Sequence, residues 1–216
     1  MTLSALVFDL DGVIVKTNYT KHTAMLSLFA RYPDRQCAIS AFILSNGGVP
    51  RREKFSRILR EYLDLEPTDF ELNRYMMKYA NLLQQALLTA PAVEGAIDFI
   101  SNYRGARYVC SSAPEAEVCE QLSRLSLYPL FASIYGGTTP KHEALLQISA
   151  MHAKQPVVFF GDSLGDYQAA RRAEVYFIGV ACERDNFAEM PIVKVKDFSA
   201  PSLVELAIHL AASQTA

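Results

Sequence analysis

Short, unbroken apolar runs alternate with stretches of helical spacing along most of this chain. Ala5 to Phe8, Val157 to Phe160 and Val175 to Val180 are continuous apolar runs, and Arg107 to Cys110 is a weaker one. Runs of this length without polar alternation predict strands buried on both faces, as in a parallel sheet. Between them, Val93 to Asn102, Glu115 to Leu125, Lys141 to His152 and Asp166 to Ala173 repeat apolar residues at helical spacing, and Pro201 to Ala212 predicts a final helix. Strand and helix in alternation predict an α/β fold, with a Rossmann-like, doubly wound and mostly parallel sheet.

From Thr17 to about Thr89 the rhythm changes, and no strand pattern is present. Helical spacing runs through Ala24 to Tyr32, Lys54 to Tyr62 and Asp69 to Leu88, broken by Pro33, by Asn46-Gly47-Gly48-Val49-Pro50 and by Pro67. This predicts a helical cap over residues 17–90 inserted into an α/β core of residues 1–16 and 91–216, with Pro91 at the return. The aromatic residues Phe29, Tyr32, Phe55, Tyr62, Phe70, Tyr75 and Tyr79 are expected to form the core of that small bundle.

Composition narrows the class. Half of the 216 residues are hydrophobic and a fifth are charged, as in a folded globular chain. Lys plus Arg is 21 against 23 for Asp plus Glu, a formal charge of −2 that offers no basic face for nucleic acid. No apolar run approaches the roughly 20 residues of a membrane span. Two Asp interrupt the N-terminal run before a secretion signal could finish, so a cytoplasmic location is expected. Cys37, Cys110, Cys119 and Cys182 lack CxxC spacing and are expected to be free thiols. His22, His142, His152 and His209 form no ligand-spaced set, so structural or surface roles are expected. There is no Gly-rich dinucleotide or P-loop motif.

The chemistry gathers at strand ends, where open α/β sheets bind ligands. The first strand runs into Asp9-Leu10-Asp11-Gly12-Val13. On an extended segment residues i and i+2 point the same way, so both Asp are expected to face one small site. Like charges that close call for a cation, and Mg²⁺ is a hard cation suited to carboxylates and phosphate oxygens. The run Val157 to Phe160 leads into Gly161-Asp162-Ser163-Leu164-Gly165-Asp166, and Cys110 is followed by Ser111 and Ser112. Thr138-Thr139-Pro140-Lys141 adds an ammonium. Together these residues make a phosphate site.

This set resembles the haloacid dehalogenase superfamily of phosphohydrolases over residues 1–16 and about 91–200. The insertion resembles that superfamily's C1-type cap, in the branch of phosphoglycolate phosphatases and β-phosphoglucomutases. The resemblance implies that Asp9 is the nucleophile and Asp11 the general acid/base. Ser111, with Ser112 and Gly12 beside it, would contact the phosphate, and Lys141 would offset its charge. Asp9, Asp11 (through its backbone carbonyl), Asp162 and Asp166 would hold Mg²⁺. The cap segment Gly48 to Glu53 resembles a substrate-specificity loop, with Arg51 as a substrate contact. An Asp at position 11 separates phosphatases and phosphomutases from the dehalogenase and phosphonatase branches. Lys16 replaces an Asp of many relatives and is expected near the site entrance, where it would favour an anionic substrate. Lys21 stands where the mutase branch carries His, and both departures weigh against a mutase.

The expected function is a Mg²⁺-dependent phosphatase acting on a small phosphorylated metabolite, a sugar phosphate or a phosphoglycolate-like acid. A monomer or homodimer is expected, with no nucleic-acid or membrane partner. Alternatives are a phosphomutase of the β-phosphoglucomutase type, a serine esterase using Gly161-Asp162-Ser163-Leu164-Gly165, and a non-catalytic binding protein on the same fold.

Overall fold

The structure, a computed structural model, describes residues 5–47, 49–153 and 155–213. Six parallel strands form one sheet in the order β3-β2-β1-β4-β5-β6. They are β1 (Ala5–Phe8), β2 (Ala106–Cys110), β3 (Ser133–Tyr135), β4 (Val157–Gly161), β5 (Tyr176–Val180) and β6 (Lys194–Val195). β1 is central, paired with β2 on one side and β4 on the other. This is the expected doubly wound α/β architecture, and its four longer strands are the four apolar runs.

Alternation along β1 assigns each residue a face. Leu6 and Phe8 join one buried cluster with Phe160, Ile178 and Phe198. Phe8 stacks on Phe160 with ring centroids 5.2 Å apart. Ala5 and Val7 join a second cluster with Phe159, Leu145 and Ala170. α5 (Ala96–Asn102), α6 (Glu115–Arg124) and α9 (Pro201–Ser213) contribute to the first layer. α7 (Lys141–Met151) and α8 (Leu164–Ala173) cover the other face. Asp9 continues the parity of Val7, so it emerges on the side of α7 and α8.

Between β1 and α5 lie α1 (Asn18–Ser27), a 3-10 turn (Pro33–Arg35), α2 (Gln36–Ser45), α3 (Arg51–Arg57, continuing as a π-helical turn to Tyr62) and α4 (Asp69–Leu88). Thr68 and Glu71 close a capping box at the start of α4. These helices bury a third cluster built on Phe29, Phe42, Phe55, Tyr75 and Tyr79. Phe70 departs from the expected aromatic core, because it stands at the first exposed turn of α4 and is 75% exposed. The segments where the chain leaves and returns run side by side, with Lys16 N–H donating to Pro91 O and Val93 N–H to Ile14 O, each at 2.9 Å.

Three elements escaped the sequence pattern. β3 has three residues and β6 two, too short for a run to register. α2 carries the apolar block Ala41-Phe42-Ile43-Leu44, whose lack of polar relief hides its helical period. α1 starts at Asn18, ahead of the expected Ala24, because Glu183 accepts hydrogen bonds from the N–H groups of Asn18 (3.1 Å) and Tyr19 (3.3 Å). The four cysteines are free thiols. Among the described residues no helix is long and apolar enough to cross a membrane.

Gly95 holds α5 to the chain around Phe198. Its φ is +71°, a left-handed conformation, and an added Cβ would run into the Phe198 backbone. Gly95→Ala is therefore expected to destabilise the fold by about 2 kcal/mol. Urea denaturation checks this. A lower midpoint at unchanged slope is expected, and a midpoint equal to wild type would contradict the packing described.

Candidate active site

The carboxyl edge of the sheet gathers charge from three directions. Asp9 follows β1, where its N–H still donates to Phe160 O at 2.9 Å, and its Oδ1 accepts from the Leu10 N–H at 2.7 Å. Lys141 opens α7, and its Nζ lies 2.8 Å from Asp9 Oδ2 and 2.5 Å from Asp166 Oδ1. Asp166 is fully buried in the first turn of α8, where its Oδ2 accepts from the Ser163 N–H (3.0 Å) and Oγ (2.7 Å). Asp162 takes a hydrogen bond from Asn18 Nδ2 at 2.5 Å, and its backbone carbonyl accepts from Asn186 Nδ2 at 2.8 Å. Gly12, at φ +74°, brings the first loop against Asp162 so closely that a Cβ would clash with the carboxylate.

Asp9, Asp162 and Asp166 each offer an oxygen within 4.8 Å of the others. One ammonium faces three carboxylates. Burial pushes Asp9 up to about 7, helped by the charges of Asp166 and Asp11 against the opposing pull of Lys141. Burial and the same crowding, from Asp166 and Asp9, raise Asp162 well above the usual carboxylate range. Burial also disfavours the Lys141 ammonium, but Asp166 and Asp9 outweigh it and hold Lys141 charged. An all-oxygen donor set with unbalanced negative charge fits a hard divalent cation. Both oxygens of Asp166 and both of Asp9 are already bonded within the protein, whereas only Oδ2 of Asp162 is hydrogen-bonded among the described residues, so Asp162 is the freest ligand.

Asp11 lines the same cavity as Asp9, as expected, but does not join the carboxylate set of Asp9, Asp162 and Asp166. The strand ends at Phe8, and residues 10–15 close a tight turn in which Ile14 and Val15 N–H both donate to Leu10 O. The Asp11 carboxylate instead accepts from Thr17 Oγ1 and from Lys21 Nζ at 2.5 and 2.7 Å. Burial alone would raise Asp11, but Lys21, the Thr17 hydroxyl and Arg51 together hold it below the usual range.

The expected phosphate and substrate contacts divide. Ser112 and Arg51 line a cavity of about 490 Å³ with Asp9, Asp11, Lys141 and Asp162. Ser111 is buried behind it, its Oγ accepting from the Ala113 N–H at 3.1 Å. Arg51 Nη2 contacts both Glu117 oxygens at 2.7 and 2.6 Å, and its guanidinium lies 5.2 Å from the Tyr79 ring centre. Gly48, in the loop expected to set specificity, lies outside the described residues. Lys16 departs from its expected place at the entrance: it pairs with Glu94 at 2.5 Å, on the neck between residues 16 and 91. His22 lines the cavity and pairs with Ser40 Oγ at 2.9 Å. Ser163 Oγ contacts Asp166, and His209, the one histidine after Ser163 in the chain, lines a separate cavity between α5 and α9, away from the hydroxyl that an esterase would need.

Glu117, Lys54 and Thr17 were missed by the linear reading. Glu117 looks like an ordinary first-turn acid of α6, and only the fold carries it to Lys21 and Arg51. Lys54 did have a signal: it lies three residues after Arg51 and next to buried Phe55, on the inward side of α3.

The model of the family described as haloacid dehalogenase-like hydrolase matches residues 6–180. A phosphorylated carbohydrates phosphatase of Thermotoga maritima is 26% identical over 183 residues, covering 80% of this chain and 82% of that protein. In fold, the chain is similar to β-phosphoglucomutase from Clostridium difficile (TM-score 0.76, 17% identity, 98% and 99% of the two chains). It is also similar to a haloacid dehalogenase-like family hydrolase from Streptococcus pneumoniae (TM-score 0.68, 15% identity, 96% and 98%).

The crowding has a pH signature in metal-free protein. Asp9 is raised in the folded state, so its contribution to stability is complete below the unfolded value near 3.8 and is lost as pH rises to about 7. Asp9→Asn removes that loss. In EDTA its melting temperature is expected to overtake wild type progressively between pH 4 and pH 7, by the equivalent of a few kcal/mol. A difference independent of pH would contradict the assignment.

Proposed function

This chain belongs to the haloacid dehalogenase-like hydrolase family, and on that premise we propose that it hydrolyses a small phosphate monoester through a phosphorylated Asp9. Family membership and the Thermotoga relative support phosphoryl chemistry of the phosphatase or phosphomutase type. The observation that carries the finer reading is the set of Asp9, Asp162 and Asp166 around Lys141, in which Asp9, Asp162 and Lys141 line one cavity and Asp166 lies buried behind them. We read residues 17–90 as the cap that closes this cavity, which keeps bulk water out and admits small substrates.

Asp9 is the nucleophile: its Oδ2 faces Lys141 at the cavity floor, and its Oδ1 is fixed by the Leu10 N–H. Attack on phosphorus forms an aspartyl-phosphate and releases the alcohol, which splits one difficult displacement into two easier ones. Lys141 spreads positive charge onto the nucleophile and the transferring oxygens. Asp162 and Asp9, with Asp166 behind them, would hold Mg²⁺, which when bound neutralises charge on the phosphoryl oxygens. Asp11 is held ionised by Lys21 and Thr17. That is the form that takes a proton from water in the second half-reaction. To donate a proton to the leaving oxygen in the first half, Asp11 must loosen from Lys21 and take up a proton from solvent, which it passes to the departing alcohol and regains from the hydrolytic water in the second half.

Purified protein is expected to release phosphate from small monoesters with Mg²⁺ and to lose activity in EDTA. Asp9→Asn and Lys141→Met are each expected to lower kcat by at least about 10³-fold. Rapid quench with ³²P-labelled substrate is expected to trap an acid-stable label on wild type and none on Asp9→Asn. Turnover of Asp9→Asn at the wild-type rate would contradict the mechanism.

A further inference from the structure

Three cap cations line the cavity, and they are not equally satisfied. Lys21 has Asp11 and Glu117 within 2.7 Å, and Arg51 has Glu117. Lys54 is only 9% exposed, and among the described residues its one hydrogen bond is to the Gly47 carbonyl at 2.9 Å. An ammonium has three donors, and a buried one with no carboxylate is costly. Burial lowers Lys54 to about 8, and the charges of Lys21 and Arg51 push the same way against Asp11 and Asp162. Nothing in the fold requires a charge there. Phe55, its neighbour on α3, packs into the apolar cluster, and a methionine would fill the same stem volume.

We propose that Lys54 binds a second anionic group on the substrate, remote from the phosphoryl group that is cleaved. The proposal rests on the hydrolase reading above and narrows its substrate class to phosphate esters that also carry a carboxylate or a further phosphate. The transferred phosphoryl group already has Lys141 and the carboxylate floor, so the cap cation is left for the other end of the molecule. Lys21 and Arg51 are already matched by Asp11 and Glu117 and keep their own hydrogen bonds. A bound anion completes the donors of Lys54 and offsets its burial.

Matched substrate pairs test this: phosphoglycolate with ethyl phosphate, 3-phosphoglycerate with glycerol 3-phosphate, and fructose 1,6-bisphosphate with fructose 1-phosphate. Wild type is expected to favour the doubly anionic member of at least one pair by about ten- to a hundredfold in kcat/KM. The favoured pair tells a carboxylate from a phosphate. Lys54→Met is expected to bring that ratio to about one, and Lys54→Arg to keep most of it. Without substrate, Lys54→Met should melt no lower than wild type, because an unpaired buried charge has gone. No preference in any pair, an equal loss on both members, or a clear fall in melting temperature for Lys54→Met would each overturn the proposal. Turnover of the members with a single anionic group then still supports the hydrolase reading, whereas no turnover of any member by wild type contradicts that reading and this inference with it.

Discussion

Three carboxylates buried around one ammonium set the terms for the rest of this structure. Asp9, Asp162 and Asp166 repel one another in a site that water cannot screen, and Lys141 offsets only part of that charge. Such an arrangement is costly to fold and survives because the backbone leaves no alternative. β1 and β4 are adjacent central strands, so the residues that follow them are forced together. α7 and α8 begin at the same edge and bring Lys141 and Asp166 in from one face. The Phe8–Phe160 stack and the apolar layers beneath anchor both strand ends against this repulsion. That charge imbalance, at the top of a rigid sheet, suits the divalent cation and the phosphoryl group of the proposed function.

A second charge network, above the first, joins the inserted helices to the core. Glu117 on α6 receives Lys21 from α1 and Arg51 from α3, and Glu183 receives the first N–H groups of α1. Asn18 reaches Asp162 directly. The cap helices are thus tied by polar contacts to the carboxylates they cover. Such contacts exchange more readily with water than apolar packing does. Asp11 belongs to this second network, so its protonation follows the position of Lys21.

Much of this was legible in the chain. The long apolar runs marked β1, β2, β4 and β5, because strands buried on both faces need continuous hydrophobicity. Asp9 and Asp162 were expected from the ends of those strands and Lys141 from the Thr138-Thr139-Pro140-Lys141 segment and the family resemblance, and the fold gathers the three at one edge. What the chain hid was long-range pairing. Asp9 and Asp11 line one cavity, but Asp11 pairs with Thr17 and Lys21 rather than with Lys141. Arg51 lines the same cavity, whereas Lys16, expected near the entrance, does not. Each has a carboxylate partner, Glu117 or Glu94, more than sixty residues away in sequence. No pattern along the chain encodes such a pairing, and a two- or three-residue edge strand leaves no period to find.

The central claim is that the sheet edge holds its carboxylates in a state that a divalent cation relieves. Calorimetric titration of Mg²⁺ into the protein at pH 7, in two buffers of different ionisation enthalpy, measures this directly. One ion is expected to bind per chain with release of at least about half a proton, as the raised carboxylates give up theirs. Asp162→Asn is expected to abolish that binding. Wild type that binds no ion at millimolar Mg²⁺, or binds it with no proton release, would contradict the account.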